Sequence, residues 1–276
     1  MSAVTKNDIT KALVELGIEK GDMVLVHSSF KSLGAVEDGA ETVISGFMDA
    51  IGEDGTLVFP TFVSKDFANA YETWHLDKHS DTGYLTNYFR KREGSIRSDH
   101  PTHSVAAAGK RAAWLTKTHG HTSKRINSMG DTPFAPDSPW EKMYQENTKI
   151  VLLGVSPVYI TFRHYTESLY IEDCLKSIEG SPKYDYMKDR LADFKKPGLW
   201  PNVCNEWVAA QLEEKGLVKK VKCGEAVLTM IESRIFVEFV LSCLKNRDNR
   251  ILWDINNLWT ADWSAWLDDL ESLQNK

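Results

Sequence analysis

The chain has 276 residues, 42% of them hydrophobic, with a net charge of −6 and an isoelectric point near 5.8, which is material for a sizeable core and argues against nucleic acid as a partner. No stretch approaches the ~20 apolar residues of a membrane span, and MSAVTKNDIT lacks the basic start and apolar centre of a signal peptide, so a cytoplasmic protein off the membrane is expected. Cys174, Cys204, Cys223 and Cys243 are widely spaced with no C-x-x-C, which excludes a disulfide framework and a zinc ribbon.

In chain order, Thr5 with Asp8 three residues on has the form of a capping box, and Ile9, Ala12, Leu13 and Leu16 then make one helical face closed by Gly17. Met23 to Val26 reads as a buried strand. It runs into VHSSFKSLGAVEDGA, where an imidazole and two hydroxyls follow the apolar run and Gly34 and Gly39 open toward a helix, the place where α/β sheets hold ligands. A helix over Ala40 to Ile51 and a strand over Thr56 to Phe59, stopped by Pro60, continue the alternation. Residues 61–82 are polar, aromatic and aperiodic, longer than an ordinary connection, and read as a functional loop.

Gly83 to Arg92 and Lys110 to Thr118 read as helices on either side of the apolar segment Val105 to Ala107, and Ser138 before Pro139 marks another helix start. Ile150 to Leu153 is a buried strand, and Thr161 is the expected N-cap of a helix reaching about Ile171. Helices over Asn205 to Lys215 and Ser233 to Leu244 flank a strand at Ala226 to Ile231. A tail over about 251–273 carries Trp253, Trp259, Trp263 and Trp266 at helical spacing, expected to dock on the chain's own core or, on a sharper reading, to form a homodimer contact. The pattern predicts one α/β domain over 1–276, with a central mixed sheet and helices on both faces.

All eight histidines lie between His27 and His164. His75 and His79 are four apart, but Asp77 and Ser80 place them in the long loop, and Pro101 opposes a helix through His100 and His103; with no third fixed ligand, no metal is expected. Gly154, Val155, Ser156, Pro157 and Val158 lack the second glycine of a nucleophile elbow. In GVSPVYITFRHYTES, by contrast, His164 and Glu167 fall three apart on one helical face, so the carboxylate can hold one ring N–H and leave the other nitrogen as a base. On spacing alone a solvated surface pair is favoured over a catalytic one, since such pairs are frequent.

Taken together, VHSSFKSLGAVEDGAETV, GTLVFPTF, IRSDHPTHSVAAAGKRA and VLLGVSPVYITFRHYTE resemble the aminoglycoside 3-N-acetyltransferase family, the antibiotic N-acetyltransferases distinct from the GNAT fold, over nearly the whole chain. The resemblance implies direct transfer of an acetyl group from acetyl-CoA to a primary amine of an amino sugar or aminoglycoside, and antibiotic resistance as an associated role. It implies His164 as general base, Glu167 as its partner and His27 beside the thioester. Ser28, Ser29, Ser32, Gly34, Arg97, His100 and Ser104 would contact CoA or shape its groove, and Asp66, Asp77 and Thr161 would face the amine substrate.

Two positions depart from the family pattern. Asp38 precedes Gly39 where a second glycine is usual, and Val158 to Ile160 replaces a polar run, which weakens the case for a polycationic acceptor. A nucleotide-linked amino sugar of surface-glycan synthesis is the rival substrate, with Arg90, Lys91, Arg92, Arg97 and Arg163 as cations able to meet it. The alternative of another class is a CoA- or carbohydrate-binding protein without turnover. The transferase reading requires His27 and His164 to meet in one crevice.

Overall fold

A computed structural model describes residues 3–63, 69–181, 183–192 and 200–253. Among these, seven strands form one mixed sheet in the order β3-β4-β2-β1-β5-β7-β6. The strands are β1 (Met23–Ser28), β2 (Thr56–Pro60), β3 (Ile96–Arg97), β4 (Val105–Gly109), β5 (Lys149–Leu153), β6 (Lys219–Cys223) and β7 (Ala226–Glu232). Only the centre is parallel: β1 pairs with β2 on one side and β5 on the other, and the remaining pairs are antiparallel.

Helices cover both faces, as the alternation of the strands demands. In β1, Val24 and Val26 pack into the core with Ile9, Leu13, Val43 and Phe47 of α1 (Lys6–Leu16) and α2 (Ala40–Ile51), whereas Met23 and Leu25 pack into the other. That second core holds α5 (Pro139–Gln145), α6 (Phe162–Ser177), α8 (Asn205–Glu214) and α9 (Ser233–Lys245). The same parity sorts Ile150 and Leu152 from Val151 and Leu153 in β5. Each fully buried Val, Leu or Phe contributes about 1.5–3 kcal/mol, so a one-residue slip that exchanged the faces is strongly disfavoured. His27, next in phase after Leu25, is thereby held on the α6 side of the sheet.

The capping box of α1 is present, with Thr5 Oγ1 accepting from the Asp8 amide and Asp8 from that of Thr5, and Ser138 caps α5. Several helical expectations change. Helix α6 runs on to Ser177 rather than ending near Ile171, because Cys174 and Leu175 still face the core. Thr161 stands at its N-cap position, but in helical backbone geometry its side chain caps no amide. Helices α3 (Tyr84–Phe89) and α4 (Ala112–Thr116) are shorter than expected, and α7 (Lys183–Ala192) was not anticipated. Nor was β6, whose KKVKC reads as polar; its lysines face outward on an edge strand, where charge discourages further pairing. The expected tail helix lies outside the described residues beyond Trp253, whose amide donates to the Asn202 carbonyl at 2.9 Å.

Candidate active site

The chain leaves β1 toward β2 on one side of the sheet while β5 lies on the other, and a crevice opens where such neighbouring strands part. A cavity of about 690 Å³ fills it, lined by Val26 to Lys31 at the end of β1 and just after it, by Val155, Val158 to Thr161, Arg163 and His164 after β5, and by Phe62, Asp81 to Tyr84 and His103. His27 and His164 therefore share one cavity. The two walls are tied together by the Ser29 amide, which donates to the Leu153 carbonyl at 2.9 Å. Gly154 permits the close approach, because a Cβ there would sit 1.8 Å from Ser32 Oγ.

His164 is the most constrained group in the cavity. Its Nδ1 lies 3.0 Å from Glu167 Oε2, and the other carboxylate oxygen of Glu167 accepts from the Val203 amide at 3.0 Å. Glu167 is buried with both oxygens occupied, which fixes Nδ1 as the protonated nitrogen and leaves the Nε2 lone pair toward the cavity. Nε2 meets one protein donor, Arg163 Nε at 3.3 Å. Burial and the Arg163 charge hold the imidazole below its usual pKa, against the opposing pull of Glu167, so it is unprotonated at neutral pH.

The helix itself is anchored. Asn127 Nδ2 donates to the His164 carbonyl at 3.1 Å and to Ser168 Oγ at 2.6 Å. Next to His164, Tyr165 donates to Glu141, which also receives the buried Arg125 guanidinium, and Arg125 pairs in turn with Glu172. A base aimed this way keeps its position without substrate.

His27 differs. It is buried, its Nε2 has no hydrogen-bond partner, and burial pushes its pKa down to about 4, so at neutral pH it is a neutral ring with an unsatisfied polar atom. A buried ring nitrogen without a partner, in a residue that lines the cavity, marks His27 as a candidate functional group rather than a satisfied structural one.

The residues expected from sequence divide. His27, Ser28, Ser29, Thr161 and His164 line the cavity, with Glu167 behind His164. Ser32 and Gly34 do not line it: Ser32 Oγ donates to the Ser29 carbonyl at 2.6 Å, and Gly34 turns with φ +78° against Glu225. Arg97, His100 and Ser104 lie outside it as well, their polar atoms spent on holding the long loop. Arg97 donates to Thr61, Ser104 and the Leu76 and Lys78 carbonyls and lies 4.7 Å over Trp74; Ser104 pairs with Thr61; His100 bonds Thr132 and the Thr102 amide. Asp77 is exposed away from the cavity with its carbonyl bound by Arg90, and Asp66 lies outside the described residues. The cavity adds Phe62, Lys31, Tyr84 and His103, whose ring centre is 6.2 Å from that of His164; no local spacing pointed to them, because they converge from four separate segments.

Among the described residues no group of three or more His, Cys, Asp or Glu is placed to hold a metal ion, and no helix is long and apolar enough to cross a membrane.

A mixed sheet with a histidine–glutamate pair in its central crevice suits an enzyme of the α/β class, and the comparisons make that class an acyltransferase. The aminoglycoside 3-N-acetyltransferase family profile matches residues 25–245, and the chain belongs to that family. Aminoglycoside N(3)-acetyltransferase VII of Streptomyces paromomycinus is 30% identical over 90% of this chain and 93% of its own. Aminoglycoside N(3)-acetyltransferase III of a Salmonella species is 32% identical over 60% of either chain. Among solved structures, AAC-IIIb in a binary complex with CoASH superposes with a TM-score of 0.70 over 89% of this chain and 98% of its own, at 19% identity, a likeness of fold.

Proposed function

We propose that this chain transfers an acetyl group from acetyl-CoA to a primary amine of an amino sugar, with His164 as general base. The observation that carries the reading is the His164–Glu167 pair, whose bonded Nδ1 leaves Nε2 on the cavity. As cosubstrate, acetyl-CoA supplies the activated acetyl carbonyl. The His27 ring and Ser28 and Ser29, which line the cavity, are the groups that would meet it, and the family's CoA-bound member supports its use.

In this reading the acceptor nitrogen bonds to the acetyl carbon as the carbon–sulfur bond breaks, and the nitrogen's proton passes to His164 Nε2 and on to the departing thiolate. Glu167 steadies the ring while it is charged. His27 and the adjoining turn donate to the carbonyl oxygen as it gains charge. Thr161 borders the acceptor side. Catalysis resides in one domain spanning 1–276 and needs no metal.

Release of CoA from acetyl-CoA, followed with a panel of amino sugars and aminoglycosides, tests the proposal. Turnover with at least one amine, abolished in His164→Ala, is expected; CoA binding with no turnover on any amine would replace it with a binding protein that kept the fold.

A further inference from the structure

Several cations expected from sequence to meet an anionic substrate are engaged elsewhere. Arg92 is held by Glu41, Arg90 by Asn87 and the Asp77 carbonyl, and Arg97 clamps the long loop. Arg163 is different. It lines the cavity, half-buried, and among the described residues no carboxylate pairs with it. Of the five N–H donors a guanidinium carries, its bonds are one to His164 Nε2 at 3.3 Å and one to the Val203 carbonyl at 3.4 Å, both long.

The surroundings share its sign. Lys31 also lines the cavity, with Asp81 the one carboxylate among the described lining residues. The N-terminus of α6, whose dipole carries the same sign, opens on the cavity at Thr161, although the Arg163 and His164 amides already donate to the Ile160 and Thr161 carbonyls. An acceptor amine that reaches Nε2 must come within contact of the Arg163 guanidinium. A second ammonium on that acceptor meets a like charge there, whereas a carboxylate or phosphate beside the amine satisfies the spare donors and draws Arg163 off the base.

We propose that Arg163 determines specificity, selecting an acceptor that carries an anionic group close to its primary amine and disfavouring polycationic amines. The inference rests on the transferase reading above and names its substrate class. The phosphates of CoA are not the anion concerned, because the whole length of the pantetheine arm separates them from the thioester that must meet the amine.

The test is steady-state CoA release by the full chain with four acceptors. Glucosamine is the neutral-bodied reference, glucosamine 1-phosphate and muramic acid place a phosphate or a carboxylate near the amine, and gentamicin is the polycation. Wild type should favour one or both anionic acceptors over glucosamine by about tenfold to a hundredfold in kcat/KM, the range of a hydrogen bond to a charged group, and the better of the two identifies the anion. Arg163→Leu should lose that preference mainly through KM while gaining on gentamicin, and Arg163→Lys should retain much of it, as a purely structural role would not. Wild-type preference for gentamicin, or an unchanged preference in Arg163→Leu, overturns the inference and leaves the transferase reading standing; absence of transfer to every amine removes both.

Discussion

Two sets of buried histidines in this molecule look alike in sequence and differ in what their nitrogens do. His100 bonds Thr132 through Nε2 and accepts the Thr102 and His103 amides at Nδ1, and His119 bonds Ser98 and the Pro133 carbonyl, the two rings stacking at 4.3 Å. Every polar atom of that pair is spent inside the fold. At the cavity, His27 leaves Nε2 without a partner, and His164 fixes one nitrogen on Glu167 while the other meets a single long contact. His27 is buried like that pair and His164 is part-buried; capacity left unspent in residues that line a cavity marks the second set as the candidates for chemistry.

The largest expected effect breaks the cavity set. His164→Ala should lower kcat/KM for acetyl transfer by about 10²–10⁴-fold, the usual worth of a positioned base, with little change in thermal midpoint. Glu167→Gln should cost about 10²–10³-fold, because an amide N–H facing Nδ1 favours the tautomer with Nε2 protonated. His27→Ala should cost on the order of 10²-fold, as expected for one lost donor to a developing oxyanion.

The other set should respond in stability. Arg97→Met should destabilise the fold by about 2–4 kcal/mol in urea titration, since it strands buried acceptors around Thr61 and Ser104, with CoA affinity little changed. Burial holds His100 at a pKa of about 3 and His103 and His119 well below their usual value. The unfolded chain takes up protons near pH 6.5 and the native one does not. Stability from these rings is thus full above 6.5 and falls as the pH drops from there toward 3, by about 1.4 kcal/mol per unit for each ring kept neutral. Urea midpoints at pH 7.5 and pH 5 check the sign.

The sheet was legible where apolar residues alternate or run together, as in Met23 to Val26 and Ile150 to Leu153, and so was the i, i+3 pairing of His164 with Glu167, because both depend on local periodicity. The roles around HPTHS were not. The family resemblance implies that His100, Ser104 and Arg97 border a ligand groove, but whether a polar atom faces ligand or protein depends on partners such as Thr132 and Leu76, brought in by tertiary contacts. For the same reason Lys31 and His103 were not read as cavity neighbours of His164, and β6 was hidden by its solvent-facing lysines. The end of α6 was missed because Cys174 and Leu175 extend the buried face past the point where polar residues interrupt it.

The most direct test of the account is the pH dependence of kcat/KM for acetyl transfer, wild type beside His164→Ala. Burial and the neighbouring Arg163 lower the pKa of His164, so the wild-type profile should rise through an acid limb centred below pH 6.5, and that limb should vanish from the residual activity of the variant. An acid limb that persists unchanged in His164→Ala would assign the base to another group and contradict the mechanism.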